Sequence, residues 1–145
     1  MCVQIERLDA VVRRLGGAIV HVKPHGALYN LAVRNEDVAR AIGRGVARWN
    51  RAVPLFGLAG SSMLDVWRGM GLAAAGEGFA DRRYEPDGSL RSRKFPDALI
   101  TDPEEAAAQA LRLARSGVVE TICVHGDTPG AVAILKACRE ALPYQ

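Results

Sequence analysis

Apolar residues recur at two spacings that alternate along this chain. A spacing of three or four positions, with charged residues between, predicts helices over about residues 5–15, 35–50 and 102–116, a short helix after residues 60–62, and a helix from residue 128 onward. Short β-branched runs bounded by glycine or proline predict strands at residues 18–22, 53–59, 72–75 and 121–124. A helix followed by four strand–helix repeats is typical of a parallel α/β fold.

Residues with known capping preferences mark several helix boundaries. Asn35 is expected to cap the second predicted helix, and Asp102 with Pro103 predicts the start of the alanine-rich one. The last helix is expected to begin at residues 128–129 and to bury three apolar side chains, those of Val132, Leu135 and Leu142.

The longest irregular stretch covers residues 81–96, which we call the excursion. Connections of this length in a compact domain are usually lids or binding loops. Asp87-Gly88 predicts a tight turn within it, flanked by Tyr84 and Leu90. We therefore expect a folded excursion.

Composition limits the class of protein. With 145 residues, 49 % of them hydrophobic, the chain can form one core, so we predict a single α/β domain over residues 1–145. The net charge of +3 and the aromatic content of 6 % do not indicate a nucleic-acid surface. No apolar run approaches the ~18 residues of a membrane helix, and residues 1–20 carry charges where a signal peptide is apolar, so we expect a cytoplasmic protein. Three cysteines without a Cys-x-x-Cys pair indicate neither a disulfide framework nor a zinc site.

Titratable residues stand where the predicted strands end. They are Lys23 and His25 after the first strand, Glu77 and Asp81 after the third, and His125 and Asp127 after the fourth. Because the carboxyl ends of parallel strands meet at one edge of a sheet, we expect these side chains to share one rim. A histidine beside a carboxylate can move protons near neutral pH, and a lysine can hold an anion. The alternative is that these residues have ordinary roles in loops and turns.

Neither a metal nor a nucleotide site follows from spacing alone. The histidines and acids at the rim could supply metal ligands, but no pair has the spacing of a known metal motif, so metal use stays open. Gly76-x-Gly78 lacks the third glycine of a dinucleotide fingerprint, and the chain has no Walker sequence. If ATP takes part in the reaction, we expect another chain to bind most of it.

Three stretches resemble the LamB/YcsF family. Residues 23–30 read KPHGALYN, residues 79–90 read FADRRYEPDGSL, and residues 122–129 read ICVHGDTP. The resemblance spans essentially the whole chain in the right order. It implies an irregular seven-stranded β/α barrel of the glycoside hydrolase/deacetylase type, of which the four predicted strands resemble the last four. The chain then corresponds to a barrel truncated at its N-terminal side.

The resemblance also implies an activity. It is the ATP-dependent hydrolytic ring opening of 5-oxo-L-proline to L-glutamate by a 5-oxoprolinase, in which this family supplies the A subunit, with subunits B and C as partners. The implied catalytic residues are Lys23, His25, His125 and Asp127. The implied substrate contacts are Tyr29, Asn30, Glu77, Asp81, Arg82 and Arg93.

Two other functions and one mode of assembly stay open. A catalytically incompetent fragment or paralogue could keep a partner-binding role, because the family's first three strands are absent. A metal-dependent deacetylase-like hydrolase rests on analogy of fold alone. Self-association is a further expectation, because part of a barrel leaves open strand edges.

Overall fold

The computed structural model describes residues 1–142, which form six helices and three strands. In chain order these elements are α1 (Cys2–Arg14), α2 (Gly26–Arg34), α3 (Glu36–Trp49), β1 (Leu55–Leu58), α4 (Ser62–Gly69), β2 (Ala74–Phe79), α5 (Pro103–Arg115), β3 (Thr121–Cys123) and α6 (Ala131–Ala141).

The three strands form one sheet in the order β1, β2, β3. Strands β2 and β3 run parallel, with Glu77 opposite Thr121 and Phe79 opposite Cys123. Helices connect the strands, as a parallel sheet requires. The structure thus confirms the parallel α/β class that the sequence predicts.

The strand predicted at residues 18–22 is reduced to one bridge at Val22. Val22 pairs with Leu55 in parallel and donates its backbone N–H to the carbonyl of Pro54 at 2.9 Å. Within residues 1–142 no strand pairs with the other side of this segment, and Val20 is 72 % exposed. The prediction of a buried strand here is wrong, because a segment paired along one edge lacks the second ladder that would extend it.

Helix α2 covers residues for which the sequence predicts no helix. His25 has an extended backbone at the N-cap position, and α2 follows directly from Gly26. Ala27, Leu28 and Leu31 are good helix formers, so the chain becomes helical as soon as the restriction imposed by Pro24 ends.

Strand β2 begins and ends later than predicted. The strand includes Gly76 and Gly78, which lie beyond the predicted strand at residues 72–75. A Cβ on Gly78 would lie 3.0 Å from Cδ1 of Leu113 and 3.2 Å from the side chain of Val119, so the strand needs a glycine where α5 packs on it. Glu77 is therefore a buried residue within a strand and not a residue at its end.

The chain divides into two compact units, and we describe each by itself. The first unit is Met1–Gly76. Its core is formed by buried residues of α1 to α4 and β1, among them Ile42, Leu55, Met63 and Trp67. The indole N–H of Trp67 donates to the carbonyl of Ala39 at 2.8 Å, which satisfies its buried polar atom. The prediction of a single domain stays a prediction.

The second unit is Glu77–Gln145, and α5 and α6 pack together in its core. The small side chains of Ala106 and Ala110 let Ile134 and Cys138 approach α5 closely. Ile134 and Cys138 are four positions apart and face the core together, because one turn of helix brings them to the same side.

The predicted buried face of α6 is wrong in two of its three positions. Val132 is 71 % exposed and Leu135 is 58 % exposed, whereas Leu142 is partly buried against the core. The helix begins at Ala131, after Gly130 with φ of +78°, and not at residues 128–129. Both exposed residues lie on sides of α6 turned away from Ile134.

The excursion is folded, as predicted. Tyr84 and Leu90 form an antiparallel bridge around the turn at Asp87-Gly88, and Arg82 and Leu99 form a second bridge. Gly88 has φ of +81°, which favours glycine, and the carboxylate of Asp87 accepts the N–H of Ser89 at 2.9 Å.

The two predicted helix caps are confirmed. Asn35 Oδ1 accepts the N–H of Val38 at 3.1 Å, and Asp102 Oδ1 accepts the N–H of Glu105 at 2.8 Å. Among the helices described here, none is long and apolar enough to cross a membrane.

Candidate functional site

Two neighbouring strands of the second unit bring an acid and a histidine to the same sheet edge. Phe79 and Cys123 are opposite each other at the ends of β2 and β3. Asp81 and His125 each follow two residues later, and the N–H of Ala80 donates to the carbonyl of Cys123 at 3.0 Å, which continues the pairing. Because both strands are parallel, both side chains leave at the carboxyl edge.

Asp81 and His125 form a hydrogen-bonded dyad. Nδ1 of the His125 ring lies 3.0 Å from Oδ1 and 3.1 Å from Oδ2 of Asp81. The backbone N–H of His125 also donates to Oδ2, at 3.0 Å. One carboxylate therefore holds both the main chain and the ring of the histidine.

A third donor to Asp81 comes from Thr128. Its hydroxyl donates to Oδ2 at 2.5 Å, and its backbone N–H donates to the carbonyl of His125 at 3.2 Å. The sequence predicts for Thr128 only a place at the start of a helix. The signal was present in the spacing, since a turn from residue 125 to residue 128 brings a hydroxyl back to the strand end.

The hydrogen bonds to Asp81 decide its charge. Complete burial alone would raise the pKa of Asp81, but the hydrogen bonds from the His125 ring, the Thr128 hydroxyl and the His125 N–H together lower it below its usual value. Asp81 is therefore an anion, and it accepts each of these hydrogen bonds. Nδ1 of neutral His125 then carries the proton, and Nε2 keeps a free lone pair.

The ring of His125 is held from one face by Phe79. The two ring centroids are 5.3 Å apart with an angle of 11° between the planes, and the His125 side chain is 25 % exposed. The histidine is thus fixed by a carboxylate and an aromatic ring while keeping access to solvent. Such an arrangement suits general base or general acid catalysis.

Arg82 is a buried cation next to the dyad in the chain. Its side chain is 7 % exposed, and Nη2 donates to the carbonyl of Arg91 at 2.7 Å. Burial, followed by the charge of Arg93, lowers the pKa of Arg82, and Asp81 and Asp127 oppose this change. An arginine stays protonated even so, and it places positive charge beside the dyad.

Apart from Arg82, the arginines of the excursion are paired with carboxylates of the same unit. Nη1 of Arg93 donates to Asp127 Oδ2 at 2.7 Å. The other pairs join Arg83 to Glu105 and Arg91 to both Glu85 and Asp97. These side chains neutralise one another and do not form a cradle for a triphosphate, so we derive no step through ATP on this chain.

The Arg93 hydrogen bond shifts both pKa values of the pair. It lowers the pKa of Asp127 and raises the pKa of Arg93, so both groups are charged at neutral pH. The structure brings Arg93 and Asp127 together, and Asp81 is the acid hydrogen-bonded to His125.

Tyr84 stabilises the end of β2. Its hydroxyl accepts the N–H of Phe79 at 2.7 Å, and burial raises the pKa of Tyr84 to about 12. The hydroxyl therefore stays protonated. Glu77, a predicted substrate contact, is only 2 % exposed within the same strand.

Four predicted site residues belong to the first unit. Lys23 is half-buried, and His25 is exposed at the N-cap of α2. Tyr29 is 4 % exposed and Asn30 is exposed, both within α2. Their placement on one rim with His125 stays a prediction.

A metal centre is not evident in the part of the chain that the structure describes. No group of three or more histidine, cysteine, aspartate and glutamate side chains in residues 1–142 is placed to hold a metal ion.

Comparison with known proteins places this chain among proteins of one family. The sequence profile of the LamB/YcsF family matches residues 1–145. The chain is 49 % identical to the A subunit of 5-oxoprolinase from Chloroflexus aggregans, covering 96 % of this chain and 60 % of the relative. It is 46 % identical to the protein of that name from Methylococcus capsulatus, covering 96 % and 58 %.

A solved structure gives the same result at the level of the fold. The lactam utilization protein from Thermus thermophilus superimposes with a TM-score of 0.85 and 37 % identity, over 97 % of this chain and 62 % of that protein. The chain thus spans about 60 % of the length of the proteins that it matches.

Proposed function

Because this chain belongs to the LamB/YcsF family, we propose that it acts as the A subunit of a 5-oxoprolinase, a hydrolase that opens the lactam of 5-oxo-L-proline to give L-glutamate. The names of its relatives, which refer to 5-oxoprolinase and to lactam utilization, support a reaction at a lactam C–N bond. The observation that carries the chemical part of the proposal is the 3.0 Å contact between Asp81 and the ring of His125.

The lactam carbonyl needs activation, because an amide is a poor electrophile. ATP, bound mainly by the partner subunits B and C, would supply this activation by transferring its terminal phosphoryl group to the carbonyl oxygen. Hydrolysis of the acyl phosphate left after ring opening would then release phosphate and L-glutamate. The described residues of this chain contribute no triphosphate cradle. Their proposed role is in the next step, the addition of water to the activated carbonyl carbon. The cytoplasm, where ATP is available, is the location that we propose for the complex.

His125 is the residue that we assign to proton transfer. Its Nε2 accepts a proton from water as the water oxygen bonds to the carbonyl carbon, and the same nitrogen returns the proton to the ring nitrogen as the C–N bond breaks. Asp81 stabilises the imidazolium in between and keeps Nδ1 protonated. In this assignment Asp81 acts through His125 and does not contact the substrate.

The buried guanidinium of Arg82 is our candidate for stabilising negative charge on the reacting group. Its positive charge lies in a site largely withdrawn from water, where it has more effect than at a surface. Arg93, which is exposed and paired with Asp127, is our candidate for the carboxylate of 5-oxoproline. Lys23, His25, Tyr29 and Asn30 remain proposed site residues of the first unit.

A reconstitution experiment tests this function. Two proteins are compared in the presence of subunits B and C: the 145-residue chain, and a chimera in which this chain replaces the matching part of the full-length Chloroflexus aggregans relative. We expect 5-oxoproline-dependent release of ADP and glutamate from the chimera. We expect little or none from the 145-residue chain, because losing even one preorganised electrostatic partner commonly costs about 100- to 1,000-fold in rate.

The result also separates the proposed enzyme from a partner-binding protein without turnover. A chimera that folds and binds both subunits, but forms no glutamate, would contradict the enzymatic proposal. Turnover by the 145-residue chain at the rate of the chimera would show that this chain suffices.

A further inference from the structure

Gln109 of α5 contacts the backbone on both sides of Asp81. Its side-chain Nε2 lies 2.7 Å from the carbonyl oxygen of Phe79, 3.2 Å from that of Ala80 and 2.7 Å from that of Arg82. An amide NH₂ group has two protons, so the two short bonds use both and the third contact is a shared one. One side chain thus satisfies carbonyls that precede and follow the dyad carboxylate.

The backbone around Asp81 is also held by the segment that follows the excursion. Arg82 forms a bridge with Leu99, and the N–H of Arg83 donates to the carbonyl of Ala98 at 3.0 Å. The carbonyl of Asp81 accepts the N–H of Ile100 at 3.0 Å, and the pairing of β2 with β3 ends at Ala80. Beyond that point the chain leaves the sheet and enters the excursion. Gln109 adds an anchor from α5 at the point where the pairing of β2 with β3 has ended and the dyad begins.

We infer that Gln109 is a positioning residue for the proposed reaction, which sets the Asp81 carboxylate and, through it, the tautomer and orientation of His125. This inference rests on the proposed function for its catalytic consequence, whereas its structural part can be tested without any activity. If the amide only satisfied carbonyls, its removal would affect stability alone. If Gln109 is a positioning residue, its substitution also changes the tautomer of the His125 ring.

The same helix supplies a matched control. Glu105 lies one turn before Gln109 on α5 and pairs with Arg83 at 2.7 and 3.2 Å. It also joins α5 to the start of the excursion. Its partner, however, is the side chain of Arg83 and not a backbone carbonyl, and both side chains are about 40 % exposed. Glu105→Gln removes the ion pair and leaves the carbonyls around Asp81 in place.

The experiment measures the tautomer of His125 by ¹⁵N NMR in the 145-residue chain at a pH at which the imidazole is neutral. We expect the Nδ1–H form to dominate in the unsubstituted chain. Gln109→Met, which keeps the length of the side chain without donors, should increase the Nε2–H fraction severalfold. Glu105→Gln should leave the ratio unchanged. If Gln109→Met does not fold, Gln109→Asn, whose amide falls one methylene short, carries the same test.

A folded Gln109 variant with the unsubstituted tautomer ratio would overturn the inference. The kinetic arm uses the chimera with subunits B and C, where Gln109→Met should lower kcat by up to about 100-fold and change KM less than twofold. A changed tautomer ratio in a chimera that shows no 5-oxoproline turnover in any form would reject the proposed function and leave the positioning role intact. A changed ratio with unchanged kcat would reject the catalytic consequence.

Discussion

Nη1 of Arg93 donates to Oδ2 of Asp127 at 2.7 Å, and this ion pair joins the excursion to the turn that follows His125. The pair connects residues that are 34 positions apart in the chain. Its two side chains are 44 % and 67 % exposed, so solvent screens the attraction and a competing anion can replace the carboxylate. The pair is therefore suited to exchange on substrate binding.

The first prediction concerns the role of Asp127. Asp127→Asn in the chimera should change KM for 5-oxoproline severalfold and leave kcat within about threefold, because the carboxylate holds Arg93 and not His125. Arg93→Gln should raise KM more strongly, since it removes the proposed substrate contact. Steady-state kinetics check both. A fall in kcat of ~100-fold or more for Asp127→Asn would instead assign proton transfer to Asp127.

The second prediction concerns pH and Asp81. The pKa of Asp81 in the folded chain lies below its ordinary value of 3.8, so its hydrogen bonds contribute stability that is complete above pH ~4. This contribution is lost as the pH falls through the folded-state pKa. The free energy of unfolding of the unsubstituted chain should therefore decrease more steeply below pH 4 than that of Asp81→Asn. Urea titrations at several pH values measure this, and parallel curves for the two proteins would contradict it.

The third prediction isolates the hydroxyl of Thr128. Thr128→Val keeps the shape of the side chain but removes a donor to a buried anion, which should cost about 1.5–3 kcal/mol of folding free energy. Thr128→Ser keeps the donor and should lose less than half as much. Chemical denaturation of both variants gives the comparison. Equal losses would show that packing of the methyl group, and not the hydrogen bond, is what matters.

The fourth prediction concerns the glycine that lets α5 approach β2. Gly78→Ala places a methyl group 3.0 Å from Leu113, and overpacking of this kind typically costs about 1–3 kcal/mol. Gly69→Ala is the matched control, because a Cβ at Gly69 meets nothing within 4 Å. Its stability should be unchanged or slightly higher. The difference between the two melting curves measures the cost of the close approach.

The sequence predicts the fold well where one local signal decides the structure. Asn35 and Asp102 cap helices as expected, and the Asp87-Gly88 turn folds the excursion. Residues 18–22 and the end of β2 are predicted less well, because strand limits depend on the neighbouring chain. Gly78 is an example. A glycine is needed within this strand because Leu113, 35 positions later, packs where a Cβ would lie.

The sequence predicts which residues lie at the candidate site, but not which of them contact one another. Strand ends place Asp81 and His125 at one edge, and the register of β2 and β3 confirms that these two meet. Which acid contacts the histidine depends on a register that the sequence does not specify. Gln109 could not be found from the sequence at all, because its partners are backbone carbonyls and carry no side-chain signature.

The most direct test of the account is the kcat of His125→Gln in the chimera with subunits B and C. General acid–base catalysis contributes about 100- to 10,000-fold, so kcat should fall by at least ~100-fold while KM changes little. His21→Gln is the control, because His21 is exposed and stacks on Phe56 in the first unit. It should retain full activity. A His125→Gln enzyme that keeps kcat within a few-fold of the unsubstituted chimera would contradict proton transfer by the Asp81–His125 dyad.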